Sequence, residues 1–253
     1  MNDENLNIKK FKEHGYFVSK NLLKKETKDI KNKINTYISE LANSNGVNIK
    51  SKNLDKKIKE AYKKNISKLN VKLGNKLYDA LNRHVLIRDY LNNEKIISKV
   101  IKIFGCKKEH LLLDHIQFFL HLKNDKKNLL GWHQDSGYFR KNSTYNSITV
   151  WIPFNSCSPI DGSLWIKPGS HKKGLILHNK NIFGTHKSQT AKKNGQVYIE
   201  NLEFMNDFQV NLKSGDVLFS DYNLVHRSGI IRSDKVRITC IGRFIDTSKP
   251  FLL

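Results

Sequence analysis

The segment Asp114–Lys123, DHIQFFLHLK, alternates in hydrophobicity and decides how the second part of the chain folds. Its two sets of alternate positions are Ile116, Phe118, Leu120 and Leu122, and His115, Gln117, Phe119 and His121. Side chains of a β-strand point alternately to its two faces, so this pattern predicts a strand with one apolar and one mixed, polar face. We expect other elements to cover the apolar face, and the polar face to line a hydrated space.

Further strands are predicted on the C-terminal side of this segment. Ser147–Phe154 (SITVWIPF) and Lys235–Phe244 (KVRITCIGRF) alternate in the same way. Gly162–His171 (GSLWIKPGSH) and Gly215–His226 (GDVLFSDYNLVH) are bounded by Gly, Pro or Asp, which favour turns. Several short strands joined by turns predict a β-barrel or jelly roll.

The first hundred residues have helical periodicity instead. Lys24–Leu41 carries one apolar stripe, with Thr27 as a candidate N-cap, and the other predicted helices are Asp55–Leu69, Leu73–Leu86 and Glu94–Phe104. We therefore expect one domain over residues 1–253, with residues 1–109 as helical support and 110–253 as the β core. Residues 175–213 are polar and irregular, and we expect them to form an insertion at the mouth of the barrel.

Composition excludes several classes of protein. The 253 residues are enough for a substantial core, and no apolar run approaches the roughly 20 residues that cross a bilayer. The N-terminus lacks a secretory apolar segment and the three cysteines form no CxxC pair, so we expect a cytoplasmic protein without membrane association. The net charge of +22 comes almost entirely from lysine, with seven arginines, which predicts a solvated surface and not a nucleic-acid partner.

A candidate metal site lies in Trp132-His133-Gln134-Asp135. If this segment is a strand, His133 and Asp135 project to the same side. His226, at the end of the strand that follows the turn Ser214–Asp216, supplies a third ligand. Two histidines and one carboxylate leave metal positions open, as in non-haem Fe(II) oxygenases, whereas a structural zinc cage is closed. An H-x-D pattern alone is weak in a chain with ten histidines, so a structural role for either histidine stays open.

Two residues downstream strengthen this hypothesis. Ser228 follows His226 by two positions, and Arg237 follows it by eleven, on the polar face of the next predicted strand. An arginine on an interior face needs an anion, and a dicarboxylate cosubstrate would provide one. The alternative is an ion pair between Arg237 and an internal Asp or Glu.

At these residues the sequence resembles the phytanoyl-CoA dioxygenase family of Fe(II)- and 2-oxoglutarate-dependent oxygenases. The matching segments are WHQDSGYF, ITVWIPF, DGSLWIKPGSHKKG and GDVLFSDYNLVHRSG with RSDKVRITCIGRF, together with FKEHGYFVSKNLL near the N-terminus. The resemblance spans nearly the whole chain. It implies a double-stranded β-helix, that is a cupin-like jelly roll, backed by helices.

The resemblance also implies roles for individual residues. His133, Asp135 and His226 would bind iron and carry catalysis, and Arg237 would hold the distal carboxylate of 2-oxoglutarate. The further cosubstrate contacts it implies are Ser228, Trp151, Thr149 and His115. Halogenating relatives replace the metal carboxylate with a small residue, and Asp135 therefore favours hydroxylation. The expected reaction uses O2, hydroxylates an unactivated C–H bond of a small metabolite that can be anionic, and releases succinate and CO2.

The sequence says little about the substrate and nothing about oligomeric state. Candidate substrate contacts are Gln117, Phe119, Tyr138 and Arg232. Two other functions stay open. One is a jelly roll that binds a metal or ligand without catalysis, and the other is a nucleic-acid-binding or nucleic-acid-modifying protein, which charge alone suggests.

Overall fold

The structure is a computed structural model that describes residues 3–123, 125, 129–139, 147–176, 178–181, 196–199 and 206–248. The helices in these ranges are α1 Asp3–His14, α2 Lys24–Ser44, α3 Leu54–Lys63, α4 Leu73–Arg83, α5 Val85–Leu91, α6 Glu94–Phe104 and α7 Asp135–Phe139. The strands are β1 Tyr16–Ser19, β2 Asn65–Ile66, β3 Val71–Lys72, β4 Leu111–His121, β5 Ser147–Pro153, β6 Trp165–Ile166, β7 Asn179–Asn181, β8 Gln196–Tyr198, β9 Phe208–Gln209, β10 Val217–Asp221, β11 His226–Arg227 and β12 Arg237–Asp246. None of these helices is long and apolar enough to cross a bilayer.

Two antiparallel sheets form the β core. The larger has the order β1-β10-β5-β12-β4, and the smaller has the order β11-β6-β9. β12 is a central strand, with β4 on one side and β5 on the other, and it is buried along its whole length. This arrangement confirms the predicted jelly roll backed by helices.

The alternation in the predicted strands separates two apolar clusters. Phe118, Ile152 and Cys240 lie on the face of the large sheet that packs against the helices, in one core with Ile34, Leu77 and Val100. Trp151, Leu218 and Ile241 lie on the opposite face, in a smaller cluster with Ile166 of the small sheet. The helices therefore cover the apolar face of the large sheet, as the period-two pattern predicts, and the polar face is turned towards the small sheet.

The helical part differs from the sequence prediction in detail. α2 and α6 form as predicted, but Thr27 is not the N-cap of α2. It is buried, and its hydroxyl is 2.6 Å from the hydroxyl of Tyr90. The periodic segment from Leu73 divides at His84, whose ring Nδ1 accepts a hydrogen bond from the backbone N–H of Leu86 and so caps α5.

Two predicted β segments also differ. Only Trp165–Ile166 of Gly162–His171 is a strand, and the segment leading to His226 contains two strands, β10 and β11. The predicted insertion, residues 175–213, lies largely outside the described residues. Its described parts include the ribbon of β7 and β8 and the strand β9 beside β6.

A substitution at Phe154 tests the packing of the large sheet against the helices. Phe154 is fully buried, and its ring contacts those of Tyr90 in α5 and Phe118 in β4 at centroid distances of 5.2 and 5.1 Å. We expect Phe154→Ala to lower the free energy of unfolding by about 3–5 kcal/mol in urea titrations, because the cavity left behind cannot collapse fully. Leu69→Ala, at a residue 53% exposed, should change it by less than about 0.5 kcal/mol. Equal effects of the two substitutions would contradict this account of the core.

Candidate metal centre and cavity

A pair of backbone hydrogen bonds brings the two candidate histidine ligands together. The N–H of His133 donates to the carbonyl of His226 at 2.9 Å, and the N–H of His226 donates to the carbonyl of His133 at 2.9 Å. Directly opposed residues in an antiparallel bridge project their side chains to the same side. The ring centroids are consequently only 4.2 Å apart.

Asp135 lies beside the two histidines, but not through the strand alternation that the sequence predicts. His133 lies in an isolated bridge and not in a continuous strand, and Asp135 is the first residue of α7. The turn into this helix, and not strand alternation, directs the carboxylate towards the histidines. One ligand atom from each of His133, Asp135 and His226 lies within 4.8 Å of the others.

The hydrogen bonds of the two imidazoles leave one nitrogen of each ring free for a metal. Nδ1 of His133 is 2.7 Å from the carbonyl oxygen of Gly131, and Nδ1 of His226 is 2.9 Å from that of Leu224. A carbonyl oxygen only accepts, so Nδ1 of each ring carries a proton, and Nε2 is the nitrogen left to bind a metal. Burial, together with the neighbouring His226, lowers the pKa of His133 to about 3, and its ring is therefore neutral at physiological pH.

Asp135 is held through both carboxylate oxygens. Nη2 of Arg243 donates to Oδ1 at 2.9 Å, and the hydroxyl of Thr149 donates to Oδ2. Burial alone would raise the pKa of Asp135, but the charge of Arg243 and its hydrogen bond outweigh it and hold that pKa below its usual range. The group is therefore an anion, and the three side chains offer two imidazole nitrogens and one carboxylate.

A cavity opens between the two sheets at this cluster, and Arg237 lies in its wall. Nη1 of Arg237 donates to the carbonyl of Gly162 and, at 3.3 Å, to that of Gly229. Its buried Nε has no hydrogen-bond partner within the described ranges. Burial lowers the pKa of this guanidinium, but an arginine stays protonated near neutral pH. The ion pair with an internal carboxylate, which the sequence left open, does not form among the described residues.

Most of the predicted site residues line this cavity. They are the three candidate ligands and Arg237, Ser228, Trp151, Thr149, Gln117, Phe119 and Tyr138. The resemblance implies that Thr149 contacts the cosubstrate, but in the structure its hydroxyl donates a hydrogen bond to Asp135. The ring of Tyr138 stands edge-on to that of His133, with the centroids 5.2 Å apart.

Two predicted residues do not line the cavity. His115 is part-exposed, opposite Arg243 in the β4–β12 pairing, and its Nδ1 is 3.6 Å from the carboxylate of Asp114. It is the last residue of β4 before the pairing with β12 shifts register, and it lies two positions beyond Gln117, the nearest residue of β4 that lines the cavity. Arg232 is exposed in the loop before β12, and its backbone N–H donates to the carbonyl of Ile160.

Three residues of the site were not predicted from the sequence. Arg243 lines the cavity and binds Asp135, and His121 lines it directly across the strand pair from Arg237. The alternation of the sequence places both Arg243 and His121 on the polar face of their strands, but it gives neither residue a function. Gln134 is fully buried behind the ligands, where its amide hydrogen-bonds backbone groups of Gly174, Ile176 and Asn223. No periodicity predicts that contact.

Two imidazoles and one carboxylate, beside a cavity with a buried guanidinium, define the class of non-haem Fe(II) oxygenases. A family model for phytanoyl-CoA dioxygenase matches residues 11–239, and the chain belongs to that family. It is an Fe(II)- and 2-oxoglutarate-dependent oxygenase, which uses O2. Its triad of His133, Asp135 and His226 fits the iron. No curated protein matches the sequence.

Solved structures share the fold at low sequence identity. AviO1 from Streptomyces viridochromogenes Tue57 is 16% identical, with 100% of this chain and 99% of that chain covered and a TM-score of 0.62. EvdO2 from Micromonospora carbonacea var. aurantiaca, complexed with 2-oxoglutarate, is 14% identical over 95% of this chain and 90% of that chain, with a TM-score of 0.61. The epimerase SnoN, in complex with Fe3+, alpha ketoglutarate and nogalamycin RO, is 16% identical over 96% and 84%, with a TM-score of 0.60.

The lowered pKa of His133 predicts a loss of stability in acid. Below the usual histidine pKa of about 6.5 the unfolded chain gains a proton at His133, whereas the folded chain gains it only near pH 3. The free energy of unfolding of the metal-free protein should therefore fall with decreasing pH, by about 2 kcal/mol from this residue between about pH 6.5 and 5. Urea titrations across this range should show a shallower pH dependence for His133→Asn. His14→Asn, at a part-exposed residue, should keep the wild-type dependence, and an unchanged slope in His133→Asn would contradict the assignment.

Proposed function

We propose that this chain hydroxylates an unactivated C–H bond of a small metabolite, with release of succinate and CO2. The observation that carries the proposal is the convergence of His133, Asp135 and His226 in one cavity with the buried Arg237. When bound, iron with 2-oxoglutarate and O2 supplies the oxidant that removes hydrogen from the substrate carbon. In this proposal the three side chains are the iron ligands.

Arg237 is the proposed anchor for the distal carboxylate of 2-oxoglutarate. Its Nε lacks a protein partner among the described residues, and the backbone carbonyls on Nη1 fix its orientation without neutralising its charge. A buried, uncompensated cation is costly unless an anion joins it. Ser228 and Trp151, which line the same cavity, are the proposed neighbours of the cosubstrate.

Asp135 supports hydroxylation as the outcome. Its carboxylate is fixed next to the two imidazoles, whereas halogenating relatives would have a small residue in its place. With these three side chains as its ligands, an iron ion would keep positions open for cosubstrate and oxygen.

The substrate would bind against Gln117, Phe119 and Tyr138, which combine two aromatic rings with one amide. Such a wall suits a small molecule with an apolar part and a hydrogen-bonding group. Arg232 gives no support to an anionic substrate because it lies outside the cavity. The dispersed, unpaired cysteines support a cytoplasmic location, and the expectation that nucleic acid is not a partner stays a prediction.

Isotope labelling separates hydroxylation from other outcomes, since one of the similar structures is an epimerase and another a carbocyclase. A pool of small metabolites that accelerates 2-oxoglutarate consumption should be incubated with the enzyme and 18O2. We expect one labelled oxygen atom in succinate and one in the hydroxylated product, by mass spectrometry. Labelled succinate with an unlabelled, isomerised or cyclised product would refute hydroxylation while leaving the cosubstrate chemistry intact.

Substitutions of Arg237 and Arg232, which carry the same charge, test the proposed cosubstrate site. Anaerobic titration of the Fe(II) protein with 2-oxoglutarate should produce a visible charge-transfer band. We expect Arg237→Gln to raise the Kd for 2-oxoglutarate about tenfold or more, because a charge-assisted hydrogen bond contributes about 1.5–3 kcal/mol. Arg232→Gln removes the same charge from the exposed loop and should leave the Kd unchanged.

The same titration tests the metal ligands. His133→Ala should lose the band, because the iron loses one of its nitrogen donors. A band of wild-type intensity in His133→Ala would refute the proposed triad. Equal Kd values for Arg237→Gln and the wild type would refute the anchor.

A further inference from the structure

The ion pair between Arg243 and Asp135 is buried in the wall of the cavity. The two side chains are only 6% and 2% exposed, and Nη2 of Arg243 is 2.9 Å from Oδ1 of Asp135. Asp135 is the only one of the three proposed ligands that has a choice of two donor atoms. Whatever holds these two oxygens therefore sets how the carboxylate meets the metal.

The donors to both oxygens come from neighbouring strands. Arg243 of β12 and Thr149 of β5 are directly opposite each other in the sheet, and each donates to a different oxygen of Asp135. Two fixed donors on a rigid sheet prevent the carboxylate from rotating about its terminal bond. Each ionised oxygen can accept more than one partner, so a lone pair remains for the metal.

We propose that Arg243 is a positioning residue that sets the orientation and the donor strength of Asp135 towards the metal. The inference rests on the proposed role of Asp135 as an iron ligand. A charge-assisted hydrogen bond draws electron density from the carboxylate, so it weakens the donation of that oxygen to iron. An ion pair that served stability alone would need no specific contact with a ligand atom, since apolar packing does as well in many interiors.

The other end of the guanidinium extends this network into the substrate side of the cavity. Nη1 of Arg243 donates to Oε1 of Gln117 at 2.7 Å. The amide oxygen of Gln117 therefore faces Arg243, and its NH2 group is turned elsewhere. Because the guanidinium is planar and rigid, Gln117 and Asp135 are positioned by one group.

The charge-transfer band of the anaerobic Fe(II)–2-oxoglutarate complex tests the proposal without turnover. Without the hydrogen bond from Arg243, Asp135 donates more strongly and raises the energy of the filled iron orbitals. We expect the band of Arg243→Met to move to longer wavelength. We also expect the Kd for Mn(II) to rise about tenfold, because the carboxylate loses the donor that fixes its orientation. Arg243→Lys keeps the positive charge and one hydrogen-bond donor, so the wavelength of its band should lie between those of the wild type and Arg243→Met.

Two further variants separate this role from general destabilisation. Lys57→Met removes another buried cation, which donates to the carbonyl of Asn35 and the hydroxyl of Ser39 in the helical layer, and its band should match the wild type. Thr149→Val removes the donor to the other carboxylate oxygen with little change of shape. Its band should move in the same direction, and this variant serves if Arg243→Met does not fold.

The outcomes distinguish the two proposals. A wild-type protein without any band would refute the proposed iron site itself. A wild-type band that keeps its wavelength in folded Arg243→Met, or in Thr149→Val if Arg243→Met is unfolded, would overturn the positioning role alone. Loss of the band in folded Arg243→Met, with the band intact in Lys57→Met, would support the orienting role of Arg243 and overturn its proposed effect on donor strength.

Discussion

His133 and His226 exchange two backbone hydrogen bonds across a single bridge, and the geometry of the site depends on that exchange. The two residues are 93 positions apart in the chain, and they meet because β11 pairs with β6 in the small sheet while its first residue also pairs with His133. The bridge fixes both imidazoles on one side. The hydrogen bonds from each Nδ1 then turn Nε2 towards a common point.

The large sheet positions the two arginines of the site. Its inner face carries Arg237 and Arg243 on the same strand, and its outer face is packed against the helices. β12 has neighbours on both sides, so its side chains cannot change face without breaking two ladders. The strand therefore places one arginine where a cosubstrate carboxylate is proposed to bind and the other on the carboxylate of Asp135.

The strong positive charge of the chain has a limited part in this site. Seven of the 45 basic residues are arginines, and two of those seven are buried in the cavity wall. A buried guanidinium suits such a site because it is planar and donates hydrogen bonds in fixed directions. The lysines contribute mostly to the solvated surface, where screening weakens their effect.

The sequence by itself determined the two faces of the strands, the helical layer and the positions of His133, Asp135, His226 and Arg237. Periodicity and short spacings carry that information because both are local. Tertiary structure decided that Asp135 opens a helix, that Arg243 holds its carboxylate, and that His121 and not His115 lines the cavity. Those features depend on strand register and on contacts between distant segments. Alternation tells which face a side chain occupies, but only the pairing of strands tells which residues of that face meet.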